Sequence, residues 1–148
     1  MASEILSKCT LLDRKGNKVD NEVLNRADKI ALYFSGHFCA PCRSFTPMLK
    51  EFYEEVNEDE KKLEIIFVSL DKSKAAQEEY HSVDQGNWPR IAFEDEAARL
   101  ELKALMGVEK IPALVILDQS KLSAQFVDGV NDVKNMGPMA LDMKWTAC

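Results

Sequence analysis

The sequence predicts an α/β fold, a central mixed β-sheet flanked by helices on both faces with an N-terminal β-hairpin, and three observations carry that expectation. Two short apolar runs rich in β-branched and aromatic residues, "IALYFS" (30–35) and "LEIIFVSLD" (63–71), read as strands buried on both faces. Between them Phe45, Met48, Leu49, Phe52, Tyr53 and Val56 recur at spacings of three and four, the pattern of an amphipathic helix. A strand, a helix and a second strand close as a right-handed crossover, which makes the strands parallel neighbours. Near the N-terminus, "CTLLDRKGNKVD" (9–20) sets two apolar segments about a Lys-Gly-Asn turn, a hairpin signal.

The remaining elements follow in order. "SKAAQEEYHSV" reads as a helix capped by Ser73, "DQGNWPR" as a loop and "IAF" as a short extended piece. "EDEAARLELKALMGV" is a helix that places Ala98, Leu102, Leu105 and Met106 on one face and ends at Gly107. "PALVIL" and "AQFVDG" are two strands of an antiparallel hairpin about the polar turn "DQSK", and a last helix in "NDVKNMGPMALDMKW" is broken by Gly137 and Pro138. Pro47 falls inside the first helical pattern and is expected to kink it.

With 148 residues, 46% of them hydrophobic, the chain has the size and core of a single domain spanning residues 1–148. A net charge of -6 and no block of Lys or Arg argue against nucleic acid or an anionic membrane as partner. No stretch approaches the roughly 20 apolar residues of a membrane span, and "MASEILSKC" lacks the apolar core of a signal peptide. The expected protein is soluble, monomeric and cytoplasmic.

Four cysteines, Cys9, Cys39, Cys42 and Cys148, are too few for a disulfide framework in a chain this rich in core residues. Cys9 reads as a small, partly buried side chain and Cys148 as an exposed one. The close pair Cys39 and Cys42 has three readings: a redox dithiol, half of a metal site, or two small buried residues. It sits at the turn from strand to helix, where unpaired backbone N–H groups and the helix dipole favour an anion. Such placement lowers a cysteine pKa from about 8.5 toward roughly 7 or below. Cys39 is then the exposed attacker and Cys42, one turn further in, the buried resolving thiol; Pro41 suits the first helical turn. In the exchange Cys39 attacks a substrate disulfide and Cys42 displaces the product from the mixed disulfide. A structural zinc site would need four ligands, and the chain offers one CxxC with scattered Cys9, His37, His81 and Cys148. No metal and no cofactor are expected.

The strand before CxxC, the proline five residues after Cys42, and "IPALVIL" some seventy residues further on together resemble the thioredoxin superfamily. "YFSGHFCAPCRSFTPMLKEFYEEV", "IIFVSLDKS", "NWPRIAF" and "MGVEKIPALVIL" are similar to blocks of its tryparedoxin and nucleoredoxin branch, from about Val19 to Leu117. The resemblance implies a thioredoxin-like fold and a protein-disulfide reductase with Cys39 as nucleophile and Cys42 as resolver, the two forming the redox-active disulfide. It also implies that Pro112 is a cis-proline and that the backbone at Ile111 pairs with a bound peptide. Phe38, Pro41, Ile111, Pro112 and Trp88 are the residues expected to meet substrate, with Trp88 equally open to a place in the core.

The chain departs from the branch at Phe38 and Ala40, where Trp and Pro are usual, and at His37. Leu70, Asp71 and Lys72 replace a Trp-Asp-Glu typical of trypanosomatid tryparedoxins, which favours the nucleoredoxin side and leaves trypanothione unassigned as reductant. Tyr33 stands where ordinary thioredoxins place a buried acid, and a tyrosine with a pKa near 10 is a poor base at neutral pH. His37, two residues before Cys39, is either a modulator of its thiolate or a solvent-facing loop residue; His81 reads as a helix-surface residue. The implied partners are protein disulfides and an upstream thiol reductant: thioredoxin reductase, glutathione or another dithiol system. The alternative function is a redox-dependent binding module of nucleoredoxin type, with the nucleus as a second location.

Overall fold

The structure is a computed structural model that describes residues 2–117, 124–126 and 128–145. The turn expected at 118–121 and the terminal Cys148 lie outside the described residues. Among the described residues seven strands form one mixed sheet in the order β2-β1-β5-β4-β3-β6-β7. They are β1 (Leu11–Leu12), β2 (Lys18–Val19), β3 (Lys29–Ser35), β4 (Leu63–Ser69), β5 (Arg90–Ile91), β6 (Ala113–Leu117) and β7 (Ala124–Phe126). The helices are α1 (Ala2–Lys8), α2 (Ala40–Val56), α3 (Lys74–Glu79), α4 (Glu96–Leu105) and α5 (Gly129–Met136). None of the described helices is long and apolar enough to cross a membrane.

The two apolar runs are the centre of this sheet: β3 pairs in parallel with β4 along all seven residues and antiparallel with β6. Alternation sorts their side chains to two cores. Ile30, Leu32, Phe34, Ile66, Val68, Val115 and Leu117 meet Leu6, Cys9, Leu102 and Met106 on one face. Ala31, Tyr33, Ile65, Phe67, Leu114 and Ile116 meet Phe45, Leu49, Phe52, Trp88 and Trp145 on the other. Each fully buried apolar side chain contributes about 1.5–3 kcal/mol, so a strand covered on both sides must be apolar throughout.

The helix joining β3 to β4 starts and stops on named side chains. Cys39 occupies the N-cap with extended backbone and Pro41 lies in the first turn. At the other end the Asn57 amide oxygen accepts from the Lys62 and Leu63 N–H groups, and its amide nitrogen donates to the Leu63 carbonyl at 2.9 Å. These bonds aim the chain straight into β4. α2 continues through Pro47, which has no N–H to give to the Arg43 carbonyl.

The N-terminal hairpin joins the sheet through β1 against β5, and the Asp95 carboxylate at the start of α4 accepts from the Thr10 N–H at 2.6 Å. α4 ends as expected at Gly107, whose φ of +66° suits a residue without Cβ. Helix α1 was not expected; Leu6 seats it in the same core as α4. On the opposite face Gly129 lets α5 approach β6 closely, since a Cβ there would come within 2.5 Å of the Leu114 carbonyl. The break at Gly137 and Pro138 leads into a π-helical segment (Ala140–Trp145) tied to α5 by the Trp145 indole, which donates to Asp132 at 3.0 Å.

Candidate active site

The end of β3 and the start of α2 bring the two cysteines to the rim of the sheet, beside the Ile111-Pro112 bond that precedes β6. That bond is cis. Cys39 is partly exposed and Cys42 wholly buried, and both are free thiols. The Cys39 Sγ accepts from the Cys42 N–H at 3.3 Å, so an unpaired donor of the first helical turn points at it. It also lies 3.8 Å from the Ile111 carbonyl oxygen, to which the thiol donates. Cys39 therefore meets Cys42 and the carbonyl of Ile111, the residue before Pro112.

Burial pushes the Cys42 thiol up to about 12, and its bond to Cys39 adds to the rise; the Ser35 hydroxyl and the Gly36 backbone pull the other way. Beneath Cys42 lies a cluster of buried hydroxyls. Tyr33 Oη and Thr46 Oγ1 are 2.7 Å apart, Thr46 Oγ1 and Tyr80 Oη 2.6 Å, and Tyr80 Oη and Ser35 Oγ 2.7 Å. Thr46 donates to the Cys42 carbonyl at 2.8 Å. Burial raises the ordinary pKa of both Tyr33 and Tyr80, so the cluster stays protonated at neutral pH. Among the described residues no carboxylate hydrogen-bonds to it.

The loop before Cys39 is held by Asp71, which accepts from the His37 N–H at 2.8 Å and from the Ser69 hydroxyl at 2.7 Å. The His37 ring is half-exposed, 5.6 Å from the Tyr80 ring and 3.9 Å from the Asp84 carboxylate. Phe38 is 61% exposed and stands next to Cys39, while Pro41 is exposed on the first turn of α2.

Two expectations need correction. Trp88 takes the core place and not the substrate rim: it is 1% exposed, its indole donates to Gln85 Oε1 at 2.9 Å, and its ring meets the edges of Tyr33 and Tyr53. His81 is not on a helix surface. The chain widens after α3 into a π-turn (Tyr80–Asp84) that sends both Tyr80 and His81 inward. His81 Nε2 lies 2.6 Å from the Trp88 carbonyl and Nδ1 lies 2.8 Å from an Arg90 nitrogen. A carbonyl accepts and a guanidinium donates, which fixes the neutral Nε2–H tautomer. Burial, with the Arg90 charge, lowers the His81 pKa to about 4.

Cys9 is buried in the core under α4, and its thiol donates to the Leu6 carbonyl. Among the described residues no group of three or more His, Cys, Asp or Glu is placed to hold a metal ion. The sequence reading missed Ser35, Thr46 and Tyr80 around Cys42, and the anchoring role of Asp71. Ser35 and Thr46 carried one local signal, a hydroxyl at an otherwise apolar position of a strand or helix face.

A family model described as thioredoxin-like matches residues 27–122. Bovine nucleoredoxin (Bos taurus) is 39% identical over 108 residues, which cover 73% of this chain and 24% of that protein. The chain thus spans about a quarter of the length of the nucleoredoxins it matches. Tryparedoxin of Trypanosoma brucei brucei is 35% identical over 89 residues, 60% of each chain. The crystal structure of a thioredoxin from Wuchereria bancrofti superposes with a TM-score of 0.80 at 35% identity over 96% of both chains. A dithiol at a strand-to-helix turn beside a cis-proline, on a sheet shared with these redox proteins, shows that the chain belongs to the thioredoxin-like family, with nucleoredoxin and tryparedoxin among its relatives.

Proposed function

We propose that the protein is a thiol-disulfide oxidoreductase that reduces protein disulfides through Cys39 and Cys42. The observation that carries this reading is the unequal exposure of the two thiols: Cys39 faces solvent at the N-cap of α2 while Cys42 lies buried behind it. Cys39, as thiolate, attacks one sulfur of the substrate disulfide; Cys42 then displaces the substrate, which leaves reduced, and the Cys39–Cys42 pair is left oxidised. An upstream thiol reductant, such as thioredoxin reductase or glutathione, resets the pair. Ile111 and Pro112 form the platform beside Cys39 on which an extended peptide would lie, with Phe38 and Pro41 at its margin. This chemistry fits a reducing compartment, the cytoplasm or nucleus.

Insulin reduction driven by dithiothreitol is the test. The expected result is that wild type accelerates precipitation of the B chain and that both Cys39→Ser and Cys42→Ser fall to the uncatalysed rate. A second reading, a redox-dependent binding module, is favoured by the exposed Phe38 ring next to Cys39. A wild-type rate equal to that of Cys39→Ser would leave that reading standing and remove the first.

A further inference from the structure

Deprotonating Cys42 is the difficult part of the resolving step, because its thiol is buried among neutral groups. We propose that Ser35, oriented by Tyr80, is the group that stabilises the Cys42 thiolate, through a buried hydroxyl chain that can reverse its direction in place of a carboxylate base. The inference rests on the oxidoreductase reading above.

Two arrangements of these hydrogen bonds serve the two charge states of Cys42. Thr46 gives its proton to the Cys42 carbonyl, so its oxygen accepts from Tyr33 and Tyr80. Tyr80, its one proton given to Thr46, accepts from Ser35, and the Ser35 hydroxyl interacts with the Cys42 side chain and favours its thiolate. When Cys42 becomes a thiolate, Ser35 turns its O–H to the sulfur and Tyr80 turns its own O–H to Ser35. Thr46 keeps the Tyr33 donor and the Cys42 carbonyl. Every hydroxyl proton has an acceptor in both states. No oxygen of the four hydroxyls is among the buried polar atoms left unpaired. A charge-assisted bond from Ser35 is stronger than the neutral one it replaces, and a second hydroxyl polarising it adds to that.

The step balances without a co-reactant. The Cys42 sulfur forms a bond to Cys39 Sγ, the bond between Cys39 and the substrate sulfur breaks with its electron pair on the substrate, and the substrate sulfur takes up, through solvent, the proton that Cys42 released. One disulfide and one thiol enter, and one disulfide and one thiol leave.

The two steps separate with the chromogenic disulfide 5,5′-dithiobis(2-nitrobenzoate), mixed in stopped flow at one equivalent with the reduced chain carrying Cys148→Ser. Attack by Cys39 releases a first nitrothiobenzoate, and resolution by Cys42 releases a second. Ser35→Ala and Tyr80→Phe each delete one hydroxyl and add no atom. The expected result is a first phase within twofold of wild type in both, with the second phase slowed roughly tenfold by Ser35→Ala and about threefold by Tyr80→Phe. A hydroxyl that only supports packing would not slow one phase selectively. Equal slowing of both phases, or a second phase at the wild-type rate in Ser35→Ala, overturns the hydroxyl mechanism while the redox reading stands. A wild-type chain with no second phase overturns the redox reading, and the inference falls with it. Should Ser35→Ala fail to fold, the second phase of Tyr80→Phe decides alone.

Discussion

Tyr80 and His81 are neighbours in the chain and equally buried, yet they enter polar clusters of different kinds. Tyr80 joins Ser35, Thr46 and Tyr33, each of which can give or take a hydrogen bond. His81 sits between a carbonyl that can only accept and a guanidinium that can only donate. The first cluster has interchangeable roles and can re-pair around a change of charge. The second has fixed roles and tolerates one protonation state. The adaptable cluster lies beneath Cys42, and the rigid one ties the turn after α3 to Trp88 and Arg90.

Breaking the rigid cluster should cost most. His81→Ala removes a packed ring, takes the donor from the Trp88 carbonyl and leaves Arg90 with the Asp13 carbonyl but without the imidazole, for a loss of about 3 kcal/mol in urea unfolding. His81→Gln should recover most of it, because an amide donates to the carbonyl and accepts from the guanidinium.

Acid should loosen the same cluster without any mutation. His81 is held at about 4 in the folded chain against an ordinary 6.5. Between those values the unfolded chain takes up a proton that the folded chain refuses. Its share of stability is therefore intact above about pH 6.5 and is lost as pH falls through 4, by at most about 3 kcal/mol. His81→Gln, neutral throughout, should show a shallower decline in urea midpoint over that range. Parallel pH profiles for wild type and His81→Gln would contradict a His81 held neutral in the folded chain.

The adaptable cluster should yield less. Tyr80→Phe keeps the ring in place, and Ser35 and Thr46 can turn to other partners, so the loss should be about 1 kcal/mol. A cost as large as that of His81→Ala would erase the distinction between the clusters. Smallest of all, His37→Ser should change stability by less than about 0.5 kcal/mol. Its ring is half-exposed, and the backbone bond that Asp71 accepts survives the substitution.

The elements that a local pattern could reveal were legible in the sequence. β3, β4 and α2 are read from continuous apolar runs and a three-and-four spacing, and the place of Cys39 at their junction followed. α1 escaped because seven residues carry too little periodicity; its position depends on Leu6 reaching a core assembled from distant strands. His81 escaped for a related reason. "EEYHSV" is polar by composition, and only the wider π-turn, with partners at Trp88 and Arg90, turns the ring inward. The hydroxyl cluster draws on β3, α2 and the turn after α3, so its members look unrelated until the chain is folded. Pro112 was placed by resemblance alone, since an isolated Ile-Pro carries no signal of its isomer.

The sheet narrows from seven-residue strands at its centre to the two residues of β2 at the hairpin edge, where Lys18 faces solvent. An intruding strand would find too little unpaired backbone there to zip onto, and a lysine whose charge would have to be desolvated first. The hairpin thus blunts a seeding point for aggregation at the edge of the sheet far from the cysteines.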